Sequence, residues 1–344
     1  MGRLRDLFFV DIAIDLGTAN TLVYIRNKGI MLNEPSVVAI QRLRNTTKVL
    51  AVGNDAKRML GRTSGNISAI RPLKDGVIAD FEVAEQMIKY FIKKVFTTNY
   101  LKRSLILVCV PSGSTPVERR AIQDSAYNAG ATHVYLVEEP IAAAIGANLP
   151  ILDPLGSMVV DIGGGTTEVA IMSLGGIVYS RSAKVAGDKM DDSIIQYLKK
   201  HHNMIIGETT AQKIKETIGS AMITKKNPNN TLLIKGLDFS TGFPKEILID
   251  ESQVQEALSE YVAHILEICR DSLESTPPEL VGDIMEKGIV LAGGGSLLKN
   301  LDLYISQGTG VPVIIAPNAL ECVARGTGKM IEKFDKFKNL FTYY

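Results

Sequence analysis

The sequence contains no tryptophan, few cysteines and no long apolar segment. Its three cysteines are far apart and form no Cys-x-x-Cys pair, which argues against a disulfide framework and a zinc site and predicts a cytoplasmic protein. The four histidines are too scattered for a metal cluster. No apolar run reaches the roughly 18 residues that a membrane-spanning helix needs, and we expect no signal peptide.

An excess of charge of either sign is also missing. Lysine and arginine total 38 and aspartate and glutamate total 37, which gives a net charge of +1. This balance argues against a protein that neutralises the phosphates of nucleic acid, so we expect no nucleic-acid partner. With 46% hydrophobic residues the chain is not disordered, and 344 residues are enough for about two domains.

The clearest pattern in the sequence is an internal repeat of a strand, an Asp-x-Gly turn and a second strand. The first turn is Asp15-Leu16-Gly17 and the second is Asp161-Ile162-Gly163. In each copy a glycine of the next turn, Gly29 or Gly175, stands 14 positions after the aspartate. Two units with the same turn and the same hairpin length predict a duplicated domain.

Helical and strand patterns alternate between and after the two copies. Residues 105–110 form a continuous apolar run, which is typical of a strand buried on both faces. Thr115-Pro116-Val117-Glu118 combines a capping box with proline at the first helical position. Residues 220–250 are richer in Asn, Lys and Thr and predict a small strand-and-loop subdomain. The alternation predicts an α/β chain with mostly buried sheets.

Four glycine-bearing segments, which we interpret as turns after strands, are the candidate binding elements. Glycine lets backbone N–H groups approach an anion closely, so two such turns from two domains could bind one polyphosphate from opposite sides. Asp15 and Asp161 beside them would repel phosphate unless Mg²⁺ lay between. A plain tight turn is the alternative for any single segment. The segments are Asp15–Asn20, Asp161–Thr167, Leu291–Ser296 and Ala324–Gly328.

Two other phosphate-binding patterns do not fit. Gly328-Lys329 is followed by Met330, where a P-loop requires serine or threonine. Glu168 stands where the dinucleotide fingerprint requires glycine or alanine.

The glycine segments also carry a resemblance to a known family. Four motifs resemble the phosphate-1, connect-1, phosphate-2 and adenosine motifs of the actin, heat-shock-chaperone and sugar-kinase ATPases: Asp15–Thr18, Glu138–Ala144, Asp161–Thr166 and Gly293–Gly295. Within that superfamily, three further stretches are similar to the MreB/Mbl family of bacterial actins: Leu32–Ala39, Ile70–Phe81 and Val117–Ala121. The resemblance covers about residues 10–330.

The resemblance implies an actin-like ATPase fold, in which two duplicated RNase H-like α/β domains with small inserted subdomains surround a nucleotide cleft. It implies domain I at residues 1–145 and 320–344, with an insert at about 31–75. It implies domain II at residues 146–319, with an insert at about 183–250. The small residues of 141–146 and the C-terminal helix around Ala324, Gly326 and Gly328 would form the hinge.

The implied ligand is ATP or ADP with Mg²⁺. Asp15 and Asp161 would hold the hydrated Mg²⁺, while Glu139 and Thr166 would orient the attacking water. The sequence alone does not separate Glu139 from Glu138. The residues implied to bind nucleotide are Gly17, Thr18, Ala19, Asn20, Gly163, Gly164, Gly165, Thr166, Glu208, Thr209, Thr210, Ala211, Lys213, Gly293, Gly294, Gly295, Ser296 and Leu297.

The resemblance further implies slow ATP hydrolysis coupled to polymerisation. The filaments, with paired protofilaments, would lie on the inner face of the cell membrane, guide peptidoglycan synthesis and maintain rod shape. RodZ and the MreC/MreD wall-elongation complex are the implied partners. A chaperone-type ATPase and a sugar or acetate kinase on the same fold are the alternatives.

Two segments are candidates for membrane contact. Leu4, Leu7 and Phe8 would share one face of a short amphipathic helix, and Tyr100-Leu101 would form a hydrophobic loop. The alternative for the first segment is that residues 7–10 begin the first strand.

Overall fold

The computed structural model describes residues 11–43, 46–63, 65–95, 105–224 and 230–342, and the structural statements below refer to these. The membrane-contact candidates Leu4, Leu7, Phe8, Tyr100 and Leu101 lie outside this described part.

The first half of the chain forms one large sheet and two small ones. Its strands are β1 Ile12–Leu16, β2 Asn20–Ile25, β3 Gly29–Pro35, β4 Val38–Arg42, β5 Thr47–Val52, β6 Ile67–Ile70, β7 Leu73–Lys74, β8 Val77–Ile78, β9 Leu105–Val110 and β10 His133–Glu138. The large sheet has the order β3-β2-β1-β9-β10. Strands β1 to β3 are antiparallel neighbours, and β9 and β10 run parallel to β1.

The second half repeats this large sheet. Its strands are β11 Ser157–Ile162, β12 Thr167–Ser173, β13 Gly176–Ala183, β14 Met204–Ile205, β15 Thr231–Asp238, β16 Pro244–Asp250, β17 Ile289–Ala292 and β18 Val313–Ile315. The order β13-β12-β11-β17-β18 matches the first sheet strand for strand, with the same parallel and antiparallel pairs. The predicted duplication is therefore confirmed.

Small sheets occupy the regions predicted as insertions. Strands β4, β5 and β6 form one, and β14, β15 and β16 form the other. Strand β3 pairs with β2 as far as Pro35, opposite Asn20, and the first small sheet begins with β4. The domain boundaries stay predictions.

The described residues contain eleven α-helices. They are α1 Asn54–Lys57, α2 Phe81–Val95, α3 Pro116–Asn128, α4 Glu139–Gly146, α5 Gly187–His202, α6 Glu208–Ile218, α7 Glu251–Glu274, α8 Pro278–Lys287, α9 Leu301–Thr309, α10 Cys322–Glu332 and α11 Phe334–Phe337. Short 3-10 helices span Gly294–Leu297, Ala319–Glu321 and Lys338–Leu340. Helix α3 has the predicted capping box, since the Thr115 hydroxyl accepts from the Glu118 N–H at 3.3 Å. Among these helices, none combines the length and apolar character needed to cross a bilayer.

Each large sheet has one face on its own hydrophobic core and the other on a shared core. The shared core contains Ala13 and Leu107 of the first sheet and Val159 and Ala170 of the second. Helices α4 and α10 supply most of its remaining side chains, so they form a layer between the two sheets. In this arrangement the two Asp-x-Gly turns, at Asp15 and Asp161, lie opposite each other.

Helices α4 and α10 cross so closely that there is no room for a side chain at Gly146 or Gly326. A Cβ on Gly326 would lie 1.8 Å from the carbonyl oxygen of Ala142. A Cβ on Gly146 would lie 1.9 Å from the carbonyl oxygen of Cys322. The predicted close contact between residues 141–146 and the C-terminal helix is therefore observed.

The interpretation of Ala324–Gly328 as a turn after a strand was wrong. Gly326 and Gly328 lie inside α10, where the helix engages their backbone N–H groups, so this segment provides no anion-binding turn. The side chain of Lys329 instead donates to the carbonyl oxygens of Ile145 and Gly146, at 3.1 and 3.0 Å. It thereby adds a charged donor to the carbonyl groups at the end of α4.

Candidate functional site

A cleft of about 640 Å³ lies between the two halves of the chain. Its wall contains the β1–β2 turn, the β11–β12 turn and the segment after β17, so three of the four predicted glycine segments meet here. The predicted residues that line it are Asp15, Gly17, Thr18, Ala19, Asn20, Glu139, Asp161, Gly163, Gly164, Gly165, Thr166, Gly293, Gly294, Gly295 and Leu297. Ser296 is fully buried behind the wall, where its hydroxyl donates to the Gly293 carbonyl at 2.6 Å.

The two repeated turns approach each other directly across the cleft. A Cβ on Gly164 would lie 2.7 Å from the Ala19 Cβ. A Cβ on Gly165 would lie 2.6 Å from the hydroxyl oxygen of Thr18. Glycine is required at these positions because the backbone of one half approaches the other half so closely. Turns of this kind, converging from two sides, form an arrangement suited to a polyphosphate.

Two buried carboxyl groups stand beside these turns. Asp15 on β1 and Asp161 on β11 are 8% and 7% exposed. Burial raises the pKa of each to about 7, and the charge of Asp15 adds to the effect on Asp161. Within the described ranges no group of three or more ligating side chains could enclose a metal ion. Two carboxyl groups beside turns that suit a polyphosphate nevertheless fit Mg²⁺, which keeps several waters and binds phosphate oxygens.

The structure places the adjacent residues Glu138 and Glu139 in different surroundings. Glu139, the first residue of α4, lines the cleft. Burial, followed by the charges of nearby carboxylates, raises its pKa well above the usual range. The Glu138 carboxylate lies 3.5 Å from the guanidinium of Arg119 instead, and it is not among the residues that line the cleft.

The predicted residues 208–213 lie on helix α6, but other residues of that helix line the cleft. These are Gln212, Lys215, Glu216 and Thr217, which sequence reasoning missed. Gln212, Lys215 and Glu216 lie four, seven and eight positions after Glu208, which is the spacing of one helical face. Lys215 donates to the Gly187 carbonyl at 2.8 Å and lies 2.9 Å from an Asp191 carboxylate oxygen.

The residues of α6 that were predicted to bind nucleotide do not line the cleft. Ala211 is fully buried in the core of the second half, and Lys213 is exposed. Thr209 and Thr210 lie in the first turn of the helix. The Glu208 carboxylate lies 3.8 Å from the guanidinium of Arg71, a residue of the first half that also lines the cleft. Their role in binding stays a prediction.

We expect the nucleotide-free protein to lose stability as the pH rises from about 4 to about 7. Asp15 and Asp161 have a pKa of about 7 in the folded protein against an ordinary value of 3.8. Between these values the folded protein binds more protons than the unfolded chain, so the free energy of unfolding falls by up to about 1.4 kcal/mol per pH unit and group. Urea unfolding at several pH values measures this slope. The Asp161→Asn variant should have a shallower slope than the parent protein, and an unchanged slope would contradict the expectation.

Comparison with known proteins identifies the family. Residues 9–339 match the family model described as MreB/Mbl protein. The chain belongs to this family. It is 52% identical to the cell shape-determining protein MreB of Escherichia coli, over 97% of this chain and 96% of that protein. It is 50% identical to the cell shape-determining protein Mbl of Bacillus subtilis, over 96% of this chain and 98% of that protein.

Solved structures confirm the predicted actin-like fold. MreB 5 of Spiroplasma citri bound to AMPPNP, 40% identical to this MreB/Mbl chain, superposes with a TM-score of 0.90. The alignment covers 96% of this chain and 98% of that one. A MamK double helical filament, at 22% identity and a TM-score of 0.78, covers 94% and 99% and supports the fold alone.

Proposed function

We propose that this protein is a cell-shape-determining bacterial actin that binds ATP, hydrolyses it slowly and assembles into filaments. The observation that carries the proposal is the cleft, in which two glycine turns converge beside Asp15 and Asp161. A relative at 40% identity has been solved with an ATP analogue bound, which supports the same ligand here.

Each part of the cleft has a role in this proposal. The backbones of the two glycine turns bind the phosphates from opposite sides, and the face of α6 with Lys215 lines the nucleoside end. When bound, Mg²⁺ neutralises charge on the phosphate oxygens. Asp15 and Asp161 would hold it through its waters, and its positive charge would offset the effect of burial, which raises the pKa of both carboxyl groups.

Hydrolysis requires a water aligned with the γ-phosphate. Glu139 and Thr166 line the cleft and are the residues that orient this water. The water oxygen bonds to the γ-phosphorus, the bond to the bridging oxygen breaks, and Glu139 accepts the proton. The β1–β2 turn, Asp15 to Asn20, contains no lysine, so the protein supplies little positive charge at that turn. We therefore expect slow turnover.

The proposed function also includes self-association and binding to the membrane. Membrane-associated filaments of this chain, with paired protofilaments, would guide peptidoglycan synthesis and maintain rod shape, with RodZ and MreC/MreD as partners. The double helical filament of MamK supports self-association as a property of the fold. The anchoring segments would be residues 4–8 and Tyr100-Leu101.

The proposal is tested by assembly and hydrolysis. ATP with Mg²⁺ should increase light scattering by the full chain and release phosphate slowly, and anionic vesicles should pellet with the polymer. Deletion of residues 1–8 should reduce this pelleting. Absence of ATP-dependent assembly would contradict the proposal, and ADP production that depends on a sugar would favour the kinase alternative.

The helix α6 residues allow a sharper test of nucleotide binding. We expect Lys215→Ala to weaken ADP binding at least about tenfold, because it removes a charge-assisted hydrogen bond to the Gly187 carbonyl in the cleft wall. Lys235→Ala, an exposed lysine on β15 that does not line the cleft, should change affinity less than about twofold. Titration with a fluorescent ADP analogue measures both. Equal losses in the two variants would contradict this assignment.

A further inference from the structure

The hairpin of β7 and β8 reaches the cleft but has no role in the mechanism above. Lys74 pairs with Val77, so Asp75 and Gly76 alone form the turn between the two strands. Both turn residues have positive φ, 51° and 75°, the conformation that two-residue turns between antiparallel strands prefer. Gly76 lines the cleft.

The tip of this hairpin contacts the glycine turns of both halves. The Gly76 N–H donates to the Thr18 hydroxyl at 3.4 Å, which joins the tip to the β1–β2 turn. A Cβ on Gly165 would lie 2.9 Å from the backbone nitrogen of Asp75, so the tip also packs on the β11–β12 turn. The hairpin therefore lies where the two turns meet.

Gly76 also contacts the side chain of Thr166. A Cβ built on Gly76 would lie 2.7 Å from the Thr166 methyl carbon, but 3.6 Å from its hydroxyl oxygen. The methyl group of Thr166 thus packs on the backbone of Gly76. Both groups are attached to the same Cβ, so the χ1 rotamer that places the methyl also sets the direction of the hydroxyl.

The lack of a side chain at residue 76 serves this contact as well as the turn. Gly29, in the β2–β3 turn, has a similar φ of 84°, but a Cβ built there would have nothing within 4 Å. At Gly29 only the backbone conformation favours glycine. At Gly76 a methyl group would in addition collide with Thr166, and the threonine would have to rotate or the hairpin would have to move.

We propose that Gly76 is a positioning residue for hydrolysis: its backbone holds the Thr166 methyl group and thereby directs the Thr166 hydroxyl toward the attacking water. This inference rests on the proposed role of Thr166 in ATP hydrolysis. Gly76 belongs to the first half of the chain and Thr166 to the second. The Thr166 hydroxyl is therefore held in this direction only while the hairpin and the β11–β12 turn are in contact.

The test changes the contact from both sides. Thr166→Ser keeps the hydroxyl and removes the methyl group, whereas Gly76→Ala adds a methyl group that collides with Thr166. Single-turnover phosphate release from Mg-ATP and the affinity for ADP are measured for each full-length variant. Crystal structures of the parent protein and of Gly76→Ala with AMPPNP compare the χ1 rotamer of Thr166.

Each variant has a matched control. Thr21→Ser removes the same methyl group from a fully buried threonine, whose hydroxyl lies 2.9 Å from that of Ser36 and which does not line the cleft. Gly29→Ala introduces the same methyl group at a positive φ where it meets no neighbour. The controls therefore reproduce the loss of buried volume and the backbone strain without the contact to Thr166.

We expect Thr166→Ser and Gly76→Ala to release phosphate at least about fivefold more slowly, with ADP affinity within about twofold of the parent protein. Both controls should keep the parent rate to within about twofold, even where they unfold more easily. In the crystal structure of Gly76→Ala, the Thr166 side chain should occupy a different χ1 rotamer from that in the parent protein.

The double variant shows whether the two residues act through one contact. Thr166→Ser removes the methyl carbon with which Gly76→Ala collides, so the added methyl group can occupy the vacated space. We expect the double variant to be no more than about twofold slower than Thr166→Ser alone. Losses that multiply would mean that the two residues act independently, and they would overturn the inference.

A parent-like rate for Thr166→Ser, or an unchanged Thr166 rotamer in Gly76→Ala, would also overturn it. If Gly76→Ala does not fold, the comparison of Thr166→Ser with Thr21→Ser decides the matter. Thr166→Ala tests the proposed function separately. A parent-like rate for Thr166→Ala would remove Thr166 from the mechanism, whereas a slow Thr166→Ala with a parent-like Thr166→Ser would contradict only the role of Gly76.

Discussion

Replacement of Gly326 by alanine should destabilise the protein by at least about 3 kcal/mol. The added methyl group would lie 1.8 Å from the carbonyl oxygen of Ala142. This neighbour belongs to the backbone of α4, which is buried between the two sheets, so it cannot move aside as a flexible side chain could. Helices α4 and α10 would have to separate, and the shared core would open.

Urea unfolding of the purified variant measures this loss. Gly282→Ala is the matched control, because Gly282 also lies inside a helix, α8, but has nothing within 4 Å of its Cβ position. Alanine is the better helix former by roughly 1 kcal/mol, so the control should be neutral or slightly more stable. Parent-like stability of Gly326→Ala would show that the crossing is looser than the structure describes.

Replacement of Glu139 by glutamine should reduce the rate of ATP hydrolysis by about 100-fold or more, with little change in nucleotide affinity. Glutamine has nearly the same shape but cannot accept the proton of the attacking water. Burial and the neighbouring carboxylates already disfavour the charged form of Glu139, as its raised pKa shows, so an uncharged glutamine should leave folding intact or improve it. Single-turnover phosphate release and ADP titration separate the two effects.

Glu138→Gln is the control for this variant. Its carboxylate faces Arg119 at 3.5 Å and not the cleft, so we expect less than about a threefold change in rate. If Glu138→Gln abolished hydrolysis while Glu139→Gln did not, the assignment of the two glutamates would be reversed.

Much of the fold could be predicted from the sequence because residues close together in the chain define the repeat. The Asp-x-Gly turns at Asp15 and Asp161 and the equal spacing to Gly29 and Gly175 define the two hairpins, and both are observed. Turn glycines with positive φ, such as Gly29 at 84° and Gly175 at 75°, are needed where they stand. Local chemistry of this kind is visible without any tertiary information.

Other features depend on tertiary contacts and could not be predicted. The glycines of Ala324–Gly328 were interpreted as turn residues. In the structure, Gly326 instead allows two helices to approach each other closely. Composition alone does not distinguish a turn glycine from a glycine at a helix crossing. Residues 208–213 were predicted to bind the nucleotide, but which face of α6 lines the cleft depends on how the helix packs, which brings in Lys215 and leaves Lys213 exposed. Glu168 was noticed only as a mismatch to a fingerprint. Its burial follows from its register opposite Asp161, which no local pattern gives.

The contact between α4 and α10 has one more property. These helices follow the equivalent strands β10 and β18 of the two repeats. Gly326 approaches the carbonyl of Ala142, and Gly146 approaches the carbonyl of Cys322, so each glycine meets the residue four positions before the other glycine. Such reciprocity is the mark of an isologous contact between identical subunits, in which one patch meets itself across a twofold axis. The crossing of α4 and α10 thus has the form of a homodimer interface joined into a single chain.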